Sequence, residues 1–164
     1  MNWKERTTEE RTLLNPSFCS NIIWHAATGF HTTSNRDFSF TEAFLILPIV
    51  LDKRTRESLP KSTRTSMTVW LERNPILKSR IQIRAKNMVR FTRESLLFAA
   101  NNEFIKLDGF SIQANRSWAR KVKTVLNGST PEVQECAKKA VLVGKWLGMS
   151  PNPNTTLAIM GIRP

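Results

Sequence analysis

The 164-residue chain predicts a mainly α fold with a small β component, an α+β class built on a helical core. Three observations carry that prediction. Apolar side chains return at three- and four-residue intervals over much of the sequence, the spacing of a helix with one buried face. Asn15-Pro16 and Thr130-Pro131 mark helix starts, with proline at the first helical position, where its missing N–H costs nothing. Asp108-Gly109 joins two short stretches of alternating character, a strong two-residue hairpin signal. Forty per cent hydrophobic residues, with nine Phe and five Trp, are enough apolar material for an independent core.

Thr7 and Glu10, three residues apart, form a capping-box pair ahead of Leu13 and Leu14. The helix opened by Pro16 places Phe18, Ile22, Ala26 and Phe30 on one buried face, with Gly29 near its end. A polar stretch over 32–39 leads to Thr41, the expected N-cap of a helix carrying Phe44, Leu45, Leu47 and Leu51. That segment is apolar on all sides, which marks it as the central core helix, kinked by Pro48 unless the proline falls near an end. Residues 52–57 read as a basic loop, followed by Leu59-Pro60 and a polar run to Thr65. Ser66 caps a short helix with Met67, Val69, Trp70 and Leu71, which Asn74-Pro75 stops. A helix over 76–88 buries Leu77, Ile81, Ala85 and Met88, and Thr92 caps the next, with Leu96, Leu97, Ala99 and Ala100.

Strands over 104–107 and 110–113 then form the hairpin. Three short helices followed by a hairpin is the order of a winged helix-turn-helix, with the hairpin as wing, although unrelated α+β domains share it. Further on, Thr130 caps a long helix whose stripe is Val133, Ala137, Ala140, Val141, Gly144 and Leu147, with Gly148 as its stop. A polar link over 150–154 leads to 155–160, read as a last strand. The chain thus divides into an N-terminal helical part (1–52), a basic winged-helix-like part (53–115) and a C-terminal helix and strand (116–164), expected to pack as one compact domain.

Charge is distributed one-sidedly. The net charge is +12, yet residues 53–93 hold 12 of the 25 Lys and Arg against only Glu57 and Glu72, while the first 52 residues sum to −2. Solvated helix faces mix signs to form i,i+4 pairs, so this excess points to a polyanion or an acidic protein face. Phosphate-backbone contact and partner docking both remain open on the residues alone. Arg54, Arg56, Lys61, Arg64 and Trp70 are the partner-docking candidates. Arg80, Arg84, Lys86, Arg90 and Arg93 are the candidates for contact with double-stranded DNA.

No catalytic, cofactor-binding or metal-binding set is expected. Cys19 and Cys136 fit no metal or redox spacing and read as buried thiols. His25 and His31, six residues apart, lack the companions of a zinc site and read as structural or surface residues. Asp52 and Glu57 are expected to pair with Arg54 or Arg56 rather than act as a dyad. The six glycines form no phosphate-cradling loop. The charged start, Met1 to Arg6, lacks the apolar core of a signal peptide, and the longest apolar run, 43–51, is too short for a bilayer span, so a soluble cytoplasmic protein is expected.

Several short blocks occur together in one order: Leu13-Leu14-Asn15-Pro16-Ser17-Phe18-Cys19, Ala43 through Leu51, Thr55-Arg56 with Leu59-Pro60, Thr65-Ser66-Met67 through Trp70-Leu71 to Asn74-Pro75, and Gly161-Ile162-Arg163-Pro164. In these blocks the chain resembles the small middle component of bacterial three-component ABC-ATPase conflict systems, the group that includes the accessory subunit of Lamassu-type defence. The resemblance implies a non-catalytic cytoplasmic subunit that works beside an SMC-like or Rad50-like ABC ATPase and a separate effector, often a nuclease. It implies that the ATPase senses foreign DNA and that the middle component helps hold the effector in check. It nominates no active-site residue. The other function class is a free-standing winged-helix DNA-binding transcriptional regulator. Few base-reading side chains, Arg93, Asn101 and Asn102, are available on the helix that would enter the groove.

Overall fold

The structure, a computed structural model, describes residues 5–163. It is mainly helical with one small antiparallel sheet. Helix α1 (Thr8–Leu13) precedes α2 (Pro16–Thr33), which Asn15 caps by accepting the Ser17 N–H at 2.9 Å. Trp3 and the side chains of Glu10 and Leu13 lie outside the described residues, and with them the Glu10 half of the expected capping box.

Helix α2 is the centre of the molecule. Its stretch from Cys19 to Phe30 is buried on nearly every side, and it packs along α10 (Pro131–Met149) and against α8 (Val89–Asn101). Two glycines permit the α2–α10 approach. A Cβ on Gly29 would run into the Val141 carbonyl, and one on Gly144 into the Ala26 carbonyl. The expected central helix over 41–51 is instead two short pieces, α3 (Phe40–Ala43) and α4 (Ile46–Val50). The break at Phe44–Leu45 is where Pro48 dictates it, because proline can neither donate to the carbonyl four residues back nor avoid its clash. Ser39, not Thr41, is the cap of α3, in a capping box with Glu42.

Asp52 accepts the Thr55 N–H at 3.2 Å and starts helix α5 (Lys53–Ser58), so the basic segment read as a loop is helical. One N-cap acceptor contributes about 1 kcal/mol, enough to nucleate a turn that packing then holds. Ser66 caps α6 (Met67–Arg73), and α7 (Pro75–Asn87) buries Leu77, Ile81 and Ala85 as the periodicity predicts. Helix α8 follows α7 after Met88 alone, so Thr92 is a fully buried interior residue rather than a cap.

Strands β1 (Phe38–Ser39), β2 (Ile105–Asp108) and β3 (Ser111–Ala114) form a sheet in the order β1-β3-β2. The register pairs Asp108 with Ser111, so the two-residue turn is Gly109-Phe110, one position later than expected. Gly109 supplies the positive φ (57°) that the first turn position needs. After a short 3-10 turn comes α9 (Ala119–Asn127), a helix outside the expected set although Val122, Val125 and Leu126 have helical spacing. Gly148 lies within α10 beside Phe30 and Thr33 of α2 and does not end the helix.

Residues 155–160, read as a strand, belong to α11 (Pro153–Met160). Asn152-Pro153 opens it as Asn15-Pro16 opens α2, and Gly161 closes it with φ 69°.

A continuous buried cluster draws residues from Cys19 to Met160. Two arginines brace the ends of α10, Arg36 at its C-terminal end and Arg56 near its start. Arg36 chelates the fully buried Glu42 carboxylate (2.8 and 2.9 Å) and donates to the Leu147 and Ser150 carbonyls at the end of α10. Thr156 of α11 donates to the same carboxylate at 3.0 Å, so one buried charge ties α3, α10 and α11 together. Burial of a carboxylate is tolerable only with this degree of pairing and hydrogen bonding.

Candidate docking surface

The basic segment divides into cations turned inward and cations left at the surface. Arg56 is turned inward, with its side chain only 2% exposed. It donates to Glu132 (2.7 Å), Glu135 (3.2 Å) and the Val50 carbonyl (2.9 Å), clamping α5 onto α10. Asp52 pairs with Arg80 at 2.9 Å, and Glu57 faces Lys53 at 3.8 Å, so neither acid takes the expected partner, Arg54 or Arg56. Burial alone would raise the Asp52 carboxyl, but hydrogen bonds from Arg80 and Thr55 hold it below its ordinary value. Arg84 donates to the Pro48 carbonyl at 3.3 Å, so Arg80 and Arg84, one turn apart on α7, both brace the α4–α5 corner. Arg90 shares Glu94 with Arg6. Lys86 and Arg93 are exposed.

Trp70 is a core residue. Its ring lies 5.6 Å from that of Trp146, and its indole N–H donates to the Ser58 carbonyl at 3.0 Å. The Trp146 indole reaches the Thr65 carbonyl at 2.9 Å, and Lys139 donates its ammonium to the Leu59 and Pro60 carbonyls at 2.9 and 3.1 Å. The irregular loop 59–66 is therefore fastened at both ends, and it presents Lys61 and Arg64 to solvent; Arg54 is exposed on α5. Of the five docking candidates, three stand at the surface and two hold the surface in place.

Lysines of α10 join this surface, although the charge asymmetry of residues 53–93 does not point to them. Lys138 and Lys145 line the same shallow hollow as Lys61, and a second hollow is shared by Lys61, Lys138 and Lys139. Burial first, and then the positive charges of Lys138 and Lys61, push the Lys139 ammonium below its ordinary value, against an opposing pull from Glu135. The signal is present in the sequence as Gln134, Lys138 and Lys145, polar positions at helical spacing. What is not legible there is that α10 and loop 59–66 lie side by side.

Exposed apolar side chains accompany the cations. Leu97 is 60% exposed on α8, the helix directly before the hairpin, and Phe110 is 82% exposed at the hairpin tip. His25 is buried edge-on to Trp24, and burial pushes its imidazole down to about 4. Cys19 and Cys136 are buried thiols outside any disulfide, as expected, and burial pushes Cys19 up to about 12. Among the described residues, no group of three or more His, Cys, Asp or Glu side chains is placed to hold a metal ion. No described helix is long and apolar enough to cross a membrane.

What fold and surface define is a helical module whose outer cations are carried on a frame of internal ion pairs and tryptophans. A family model, the ABC-three component (ABC-3C) system Middle Component 3, matches residues 3–164, and the chain belongs to that family. Neither a curated protein nor a solved structure gives a match.

Proposed function

We propose that this chain is a non-catalytic accessory subunit of an SMC-like ABC-ATPase defence complex of the Lamassu type, bridging the ATPase and an effector nuclease. The observation that carries the docking part is the set of exposed cations on a fastened loop. Lys61 and Arg64 project from a segment pinned by Lys139 and Trp146, with Arg54 on the adjoining helix. A cation on a pinned backbone loses less chain entropy on meeting an acidic face than one on a free loop, and such faces set association rate and orientation.

A winged-helix-like part is supported by the sheet order β1-β3-β2 and by α8 leading straight into the hairpin. That likeness keeps DNA contact within the reading. The outward face of α8, however, carries Leu97 and Phe98 among its cations, an apolar surface better suited to protein than to base edges. This favours the subunit over a free-standing regulator.

The test is co-expression with the products of the neighbouring genes, among which an ABC ATPase is expected. The wild-type chain is expected to co-purify, and charge reversal at Arg54, Lys61 and Arg64 together is expected to weaken the complex, most at low salt where screening is least. Arg56 belongs outside this set, because reversing a buried clamp would unfold the protein. Failure of the wild-type chain to co-purify would sink the subunit reading; an unaffected triple variant would remove this loop as the docking element.

A further inference from the structure

We propose that the groove between α10 and loop 59–66 receives an acidic segment of a partner protein that carries apolar side chains between its carboxylates. The inference rests on the docking role argued above and names the chemistry of the occupant. The groove is a cavity of about 750 Å³ whose apolar surface comes from Pro60, Leu126, Pro131 and Leu142, with Lys61 and Lys138 among its lining residues. It continues into a second hollow of about 300 Å³ that shares Lys61, Lys138 and Leu142 and adds Lys145. From residue 131 to 145 the helix rises about 20 Å, room for three to four turns of a partner helix.

Its walls are already built. Gln134 donates its side-chain amide to the Leu126, Asn127 and Ser129 carbonyls (3.2, 3.4 and 3.1 Å), fixing the α9–α10 turn, and Lys139 fixes the opposite wall. The acid in the lining, Glu135, is engaged by Arg56 at 3.2 Å. The groove therefore offers cations around apolar surface with its own carboxylate answered. A phosphate backbone would satisfy the lysines and leave the apolar surface uncovered, whereas an acidic amphipathic segment covers both.

The test uses the purified full chain and three probes in fluorescence anisotropy. One is a labelled 13-residue peptide of Glu and Ala with two Leu four residues apart. The second is the same peptide with both Leu replaced by Ala, and the third is a short DNA duplex. The Leu peptide is expected to bind about tenfold tighter than its Ala counterpart, the effect of roughly two partly buried Leu side chains. Lys138→Glu with Lys145→Glu should weaken it at least about tenfold, and Lys138→Gln less, while Lys86→Glu on α7 leaves it within about twofold. A melting curve checks that each variant is folded, and Lys138→Gln carries the test if the double reversal is not. Equal binding of the two peptides, indifference to both Lys138 variants, or preference for the duplex would overturn the proposal. Each result can be read whether or not the ATPase co-purifies, so this inference and the subunit reading fail separately.

Discussion

His25 carries a pH dependence into the core. Its imidazole is pushed from 6.5 down to about 4 by burial, so it stays neutral where the unfolded chain takes up a proton. The unfolded state then binds more protons, and stability present above pH 6.5 is lost as pH falls towards 4, by about 3 kcal/mol in full. Asp52 and Glu94, both held below their ordinary values, lose their contribution only at lower pH, through and below the carboxylate range. Urea midpoints at pH 7.5 and 4.5 should therefore differ clearly in the wild-type protein, and His25→Phe should shrink that difference. An equal difference in both proteins would assign the effect elsewhere. At this scale the sequence is legible where a residue's role is local. Asn15, Ser66 and Thr130 announce caps that form. Arg56 and Trp70 read as surface candidates because their partners, Glu132 and Trp146, are 76 residues further on in each case.

At the scale of elements, the long helices are legible from apolar period and capping, and the errors fall where tertiary contact decides. The 155–160 segment is short and β-branched at its start, which mimics a strand; Asn152-Pro153 and Gly161 frame it as a helix docked beside the Glu42 carboxylate. Helix α9 carries the helical spacing in Val122, Val125 and Leu126, but the run is a short one among Arg and Lys, and Val122 alone of its residues is buried. The α2–α10 contact shows what glycine spacing means. Gly144 reads as part of a buried stripe, yet its function is to let two backbones meet. Gly144→Ala adds a methyl that gains helix propensity of roughly 1 kcal/mol but must displace the Ala26 backbone, a cost of about 1–3 kcal/mol or more. The expected net result is a lower melting temperature. An unchanged or raised one would mean that the two helices can separate without penalty.

For the whole molecule, the charge asymmetry is legible in the sequence, but not which cations remain available. Arg80 and Arg84 brace the α4–α5 corner, so Lys86 and Arg93 are the better probes of any DNA binding. Binding of the isolated chain to duplex DNA is expected to be weak and indifferent to sequence, with dissociation constants of roughly 10⁻⁴ to 10⁻⁶ M at physiological salt. Replacing Lys86 and Arg93 by Ala should flatten the dependence of log K on log salt by about 0.9 for each phosphate that is no longer neutralised. A preference for one sequence that vanishes in the variant would instead favour the regulator. Partner docking survives either outcome, because α10 supplies cations that lie outside the basic segment altogether.

Loop 59–66 also has a consequence for protease handling. It is an irregular surface stretch with Lys61 and Arg64 exposed, the kind of segment trypsin normally cuts first. Cleavage needs several residues to peel away into the enzyme's cleft. Here the bond from Trp146 to Thr65 and the paired bonds from Lys139 to Leu59 and Pro60 restrain that movement. Brief digestion of the native protein should leave the loop intact. Lys139→Met, which keeps much of the stem and removes the ammonium, should open it to cutting after Lys61 while the rest of the chain stays folded.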